Sequence, residues 1–229
     1  MLASVALAVS HNPTVNVNIG QLAKPSTSLV IIISLTLLAV APAALILLTP
    51  FTQAVVVLKI AANALGLNNI PPRQVLTGLA LFLALAVMAP TLGQVNHIAV
   101  QPWLHGKMSF ATALTTAEGP FRTWMLHHTR TADLHVFLSV TGHAKVAVAH
   151  APMSALIPAY TISQLESAMV MGFMVFIPFV IIDLIVASTL MSIGIVMLPP
   201  TLISLPFKLL LFVLVDGWRL VSIALLKAG

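Results

Sequence analysis

Eight histidines, a scatter of serines and four charges set in oily surroundings are the groups of this chain able to do chemistry. Seven histidines, His97, His105, His127, His128, His135, His143 and His150, fall in the central part of the chain, and His11 stands apart. His128 and His135 share a helical face at i, i+7. No carboxylate or third histidine follows at i+4 to close a metal site, and no HExxH occurs. Ser163 and the other serines lack the Gly-x-Ser-x-Gly elbow that exposes a nucleophile. No Walker motif or glycine-rich phosphate loop is present. The residues therefore supply neither a catalytic set nor an energy-coupling site; an enzyme is not expected, nor a cofactor or metal.

The four charges are more informative. Lys59, Asp183, Lys208 and Asp216 each sit deep in an apolar run. At the centre of a lipid-exposed helix each would cost about 2.5–3.5 kcal/mol on insertion scales. Only seven uncharged residues separate Lys208 from Asp216, roughly 10 Å of helix and too short to cross a bilayer core. The C-terminal segment is therefore expected to lie against protein, with its charges paired or wetted. A hairpin folded about Pro199 and Pro200 would set Asp183 level with Asp216 and Lys208 about 12 Å away along the axis. Asp183 would then face a like charge, with Arg219 the nearest cation, and its better partner would come from a neighbouring subunit. The plain alternative is that Lys59 and Lys208 snorkel toward water.

Composition sets the frame. The chain has 229 residues, 59% hydrophobic and only 7% charged, with a mean hydropathy of +1.08. Soluble domains carry about 25% charge, so the chain reads as an integral membrane protein or a subunit of a membrane-embedded assembly. Its net charge of +5 fits topology and contact with lipid headgroups. No basic cluster is interleaved with aromatics, so nucleic acid is not expected as a partner. There is no cysteine, which excludes disulfides and thiolate metal sites.

The elements that position these groups form two oily blocks around a polar one. Residues 1–28 read as an N-terminal tail or residual signal segment. MLASVALAVS is mildly apolar and Ala6-Leu7-Ala8 has the small-x-small look of a cleavage site, without a positive n-region. The first block, 29–92, opens with 20 uncharged residues, 29–48, the length of one crossing; Pro42 is expected to kink that helix. A second helix, 51–66, follows Pro50 and takes Gly66 as its C-cap. After a turn at NNIPP, a third covers 75–90. The middle block, 93–160, reads as water-facing, with two helical pieces broken at Gly119-Pro120 and a loop over 141–152. The second oily block, 161–229, contains an apolar run, 163–198, of roughly 54 Å if straight, with bends at Pro178 and Gly194. Pro199-Pro200 then forces a turn. Both oily blocks share a plan of apolar run, Pro-Pro, apolar run, with little identity between them. Met169, Met171, Met174, Met191 and Met197 crowd the second block; they are ordinary gap-filling or a soft seal around a passage, with Met197 beside the turn the best placed for the latter.

Several stretches resemble one family. GLALFLALAVMAP (78–90), LIPAYTISQLESA (156–168), GFMVFIPFVIIDLIVASTLMSIG (172–194) and LPPTLISLPFKLLLFVLVDGW (198–218) are similar to the FliP family of flagellar export-gate proteins, within the wider type III secretion family that includes the injectisome SctR proteins. TPFTQAVVVL (49–58), NALG (63–66) and PPRQVL (71–76) fall in register, and the resemblance runs over roughly residues 29–226. QPWLHGKMSFATAL (101–114) and MLHHTRTADLHVF (125–137) favour the flagellar branch. The resemblance implies an all-α fold of membrane-associated hairpins with kinked and broken helices, assembling into a helical oligomeric gate. It implies a homopentamer with FliQ and FliR, with FlhB at the base, FlhA a further partner, and membrane lipid in contact. Unfolded export substrates pass through the centre. The location implied is the flagellar basal body at the bacterial inner membrane, with the polar block on the periplasmic side. Such proteins are not enzymes, and many are made with a cleaved signal peptide.

The resemblance also implies a pore gasket in the turn that carries Met191, Ile195, Val196 and Met197, shaped by Pro199 and Pro200, with Lys59, Asp183, Lys208 and Asp216 as assembly or buried charges. Here the chain departs from the family. The usual three methionines read Ile195-Val196-Met197, which keeps the oiliness but stiffens the turn with β-branched side chains. The usual arginine after T-S-F-T is Gln53, and the usual S-E-L-K reads Ser163-Gln164-Leu165-Glu166, positions open to subunit contacts. The alternative reading is a small secondary transporter or channel coupling an ion at a midplane Asp or Lys; a structural scaffold ranks third.

Overall fold

The computed structural model describes residues 27–67, 70–195 and 197–228, so the signal-like start lies outside the described residues. Among these residues the regular structure is all helical, with no strand. Helices α1 (Thr27–Leu48) and α2 (Phe51–Ala64) meet at Thr49-Pro50 with a bend of 67°. Pro42 lies inside α1 and does not end it. α2 stops where expected, with Gly66 at φ 75° beyond its last turn.

Helix α3 (Arg73–Val95) runs past Pro90, the expected end. It continues through a π turn (Asn96–Val100) into α4 (Gln101–Leu104), an unbroken stretch of 32 residues. The π turn lies just before Pro102, whose ring would collide with the carbonyl one turn back in a regular helix.

Helix α5 (Phe110–His127) is capped by Ser109, whose hydroxyl accepts the Thr112 N–H at 3.2 Å. It runs straight through Gly119-Pro120, where a break was expected. The ion pair of Glu118 with Arg122 straddles the proline, and Arg122 also donates to the Ala151 carbonyl. The true break comes at His128–Arg130, before α6 (Thr131–Val140). His128 and His135 therefore lie on opposite sides of a turn and share no helical face. Residues 141–152 form a loop with one 3₁₀ turn, Val148–His150.

Helix α7 (Met153–Ser192) has 40 residues and holds both Pro158 and Pro178 within it. It begins ten residues before the apolar run at 163 and crosses from the polar block into the second oily one. α8 (Pro200–Leu214) and α9 (Gly217–Ala228) complete the chain, bent by 58° at their junction. In both oily blocks the proline pair initiates a helix: Pro72 and Pro199 are extended N-caps, at ψ 143° and 121°.

The centre of the molecule is α2. Val57, Leu58 and Ala61 pack against Ala80 and Leu83 of α3, Ala168 of α7, and Val221 and Leu225 of α9. Small residues let these helices approach closely; a side chain at Gly172 would collide with Ile60 of α2. A second core joins Met125 of α5, Leu134 and Leu138 of α6, and Leu156 and Tyr160 of α7. By length and composition two helices can cross a membrane, or up to four if each bent pair is one span. Only 11% of the most apolar window of α7 is buried, so that helix offers most of its oily surface to lipid or to other protein.

Candidate functional site: a clamped hairpin with an apolar tip

Helices α7 and α8 pack side by side as a hairpin. α7 ends in a Schellman motif: the Gly194 N–H bonds the Met191 carbonyl at 3.1 Å, and the Ile195 N–H bonds the Leu190 carbonyl at 3.0 Å. Gly194 itself is at φ 79°, where a Cβ would be strained. The reversal therefore occupies residues 193–199, and Pro199-Pro200 is its exit rather than its pivot.

That displacement changes the pairing. Asp183 lies nine residues before the end of α7, and Lys208 lies eight after the start of α8. The two are level. Lys208 Nζ donates to Asp183 Oδ2 at 2.6 Å, and Ser204 Oγ donates to Oδ1 at 2.5 Å. Ser204 and Lys208 stand at i, i+4 on one face of α8 and grip both carboxylate oxygens. Lys208 is 5% exposed, and Asp183 is half-buried. Within this chain the partner of Asp183 is thus Lys208 rather than Arg219.

Asp216 is not level with Asp183 at all. It sits at the α8–α9 break at φ 52°, a conformation aspartate tolerates better than most residues. It is exposed and lies 3.8 Å from Arg219, a surface pair of little energetic weight. Gly217 follows because the Phe212 ring occupies the space a side chain would need. Lys59 is likewise exposed within this chain.

At the tip of the hairpin the side chains point outward. Met191, Ile193, Ile195 and Leu198 are exposed, and Met197 is 97% exposed. Val196 lies outside the described residues. An oily tip on a hairpin locked by an ion pair can make apolar contacts with other copies or partners; it holds no group for bond-making chemistry.

Sequence reasoning missed a second set of polar contacts. Ser163 on α7 donates to Asp133 Oδ2 at 2.5 Å and accepts the Arg130 N–H at 3.0 Å, while Glu166 pairs with the Arg130 guanidinium. Together they dock the start of α6 on α7. Gln53 and Gln164 are both buried and line one pocket, together with His127, Arg130, Ser167 and Met171. Gln53 Nε2 lies 3.2 Å from Met171 Sδ, and Gln164 Oε1 accepts no hydrogen bond. Gln53 and Gln164, both departures from the resembled pattern, thus face a common space inside one chain. The only signal was that both residues depart from the pattern together.

The model of the FliP family matches residues 34–225. The flagellar biosynthetic protein FliP of Bacillus subtilis (strain 168) is 47% identical over 204 residues, covering 89% of this chain and 92% of that protein. The protein of the same name from Aquifex aeolicus (strain VF5) is 38% identical over 231 residues, covering 100% of this chain and 96% of its own length. That of Caulobacter vibrioides is 42% identical, covering 100% of this chain and 88% of its own length. With the family's model matched over most of its length and relatives aligned nearly end to end, this chain belongs to the FliP family.

Proposed function

We propose that this chain is a core subunit of the flagellar type III protein export gate. In this reading five copies assemble with FliQ and FliR into a channel for unfolded flagellar proteins. FlhB wraps the base, FlhA docks nearby, and the whole stands in the flagellar basal body at the bacterial inner membrane. The polar block, 93–160, faces the periplasm. The role is conductive and structural rather than catalytic, and it needs no cofactor.

The observation that carries the reading is the exposed apolar turn at the tip of the α7–α8 hairpin. A tip of this kind, repeated by five copies around an axis, would close a passage by apolar contact and open when a chain threads it. The Asp183–Lys208–Ser204 grip would keep each tip at fixed height. Ile195 and Val196, β-branched where thioethers are usual, would make a stiffer gasket. The transporter alternative relies on Asp183 or Lys208 as an ion-coupling group, and in this chain the two are engaged with each other.

Native mass spectrometry of the chain co-expressed with FliQ and FliR tests the assembly. A pentamer that recruits both is expected; a lone monomer or dimer overturns the reading. Leak through the reconstituted gate tests the tip: Ile195→Met with Val196→Met should change closed-state leak. Unchanged leak and unchanged export would remove the gasket role from these residues.

A further inference from the structure

Among the described residues, Gln164 Oε1 is the enclosed side-chain polar atom that finds no hydrogen-bond partner, on a residue only 4% exposed. An enclosed amide left in that state is costly. Gln53 beside it is just as enclosed and spends its Nε2 on the Met171 thioether, a weak acceptor. Both glutamines line a pocket of about 320 Å³ together with Thr129 and Ser167. No carboxylate lies in its wall to hold a cation, and its guanidinium, Arg130, is already paired with Glu166. The group that matches this pocket is neutral and carries both a donor and an acceptor, which describes another amide.

The pocket does not stand alone. Met171 lines it and also lines an apolar cleft of about 400 Å³ between α7 and α9, walled by Val57, Val175, Phe179, Val221 and Ala224. The two spaces meet at Met171. Along α7 the lining is polar at Gln164 and oily from Met171 to Phe179, about 12 Å further on. Water would satisfy the amide but leave the oily part bare. An acyl chain would cover the oily part but bring no donor to Gln164. A protein helix with an apolar face and one Asn or Gln does both, as a helix laid in a groove.

We propose that the cleft between α7 and α9 is a docking groove for a helix of a neighbouring protein chain, fixed in register by one carboxamide that pairs with Gln164 beside Gln53. The apolar face of that helix fills the cleft from Met171 to Phe179. The site is separate from the pore tip. It rests on the gate reading for the identity of the neighbours and adds the contact through which one of them is held.

The full-length chain, alone and co-expressed with FliQ and FliR, provides the test. Gln164→Leu removes the orphaned amide, so the unfolding midpoint of the chain alone should stay or rise. Its association with neighbouring chains, titrated by native mass spectrometry, should nevertheless weaken about tenfold, because the partner's carboxamide is then left unpaired. A diazirine-bearing amino acid in place of Met171 should, on illumination, link to an apolar helix of a second copy, FliQ or FliR that carries Asn or Gln about one or two turns from the linked residue. Unweakened association of Gln164→Leu means that water alone fills the pocket and overturns the proposal. A lowered midpoint in the lone variant, as large as the loss of association, assigns the amide to the chain's own fold and also overturns it. Linkage of position 171 to phospholipid alone makes the cleft a lipid site, with the same consequence. A parent chain that assembles with neither FliQ nor FliR strikes the gate reading, and the groove then stands or falls on whether position 171 links to such a helix of a second copy.

Discussion

Asp183 and Lys208 are the residues on which the hairpin depends. Lys208 is almost wholly enclosed, so its charge is tolerated only with the carboxylate beside it. Removing one member of such a pair is far worse than replacing both with apolar groups of similar size. Asp183→Ala should therefore destabilise the chain by about 3 kcal/mol, the low end for a buried pair because the carboxylate is partly wetted. Asp183→Leu/Lys208→Met should recover most of that loss, as measured by unfolding in detergent; an additive double variant would show that the pair carries no coupling. Gln53 and Gln164 invite the opposite experiment. Gln164→Glu alone places a carboxylate in a buried pocket and should cost about 3 kcal/mol, whereas adding Gln53→Arg should restore stability. If the double variant is no better than the single, the two positions do not communicate despite their shared pocket.

At the scale of elements, what was legible were those helix ends marked by residues with fixed backbone demands. Pro50 and Gly66 bounded α2, and the apolar length at 29–48 gave α1. Two interior prolines misled. Pro90 and Pro120 lie inside helices where an end and a break were expected, because neighbouring helices and side-chain bridges sustain a helix that a missing N–H would otherwise weaken. The clamp was illegible for a related reason. Counting from Pro199-Pro200 assumed a turn of no length, and the real reversal over 193–199 shifts the register by two helical turns. Asp183 and Lys208 stood out as charges in oily runs and Ser204 did not, and the meeting of all three depended on that loop. The Schellman end of α7 gives a direct check. Gly194→Val should lower stability by about 1–2 kcal/mol through its positive φ, and Gly194→Asn by less. An equal effect of the two would mean that the backbone at 194 is not what holds the turn.

For the whole molecule, the division between covered and uncovered surface is the main feature. Two cores bury the inner faces of α2, α6 and the start of α7, while the outer faces of α7 and α8 stay oily and bare. Hydrogen exchange in detergent should accordingly find the amides of α2 the most protected, and addition of FliQ and FliR should extend protection along α7 and α8. Unchanged exchange there would argue that lipid rather than protein covers those helices. The clamp also bears on how the chain is made. As it leaves the ribosome, α7 presents a lone carboxylate and, later, α8 a lone ammonium. Each is a penalty of about 2.5–3.5 kcal/mol if it enters the bilayer separately, while the joined hairpin enters with its charge cancelled. Insertion of the two arms as one paired hairpin would therefore cost less than insertion of each arm alone.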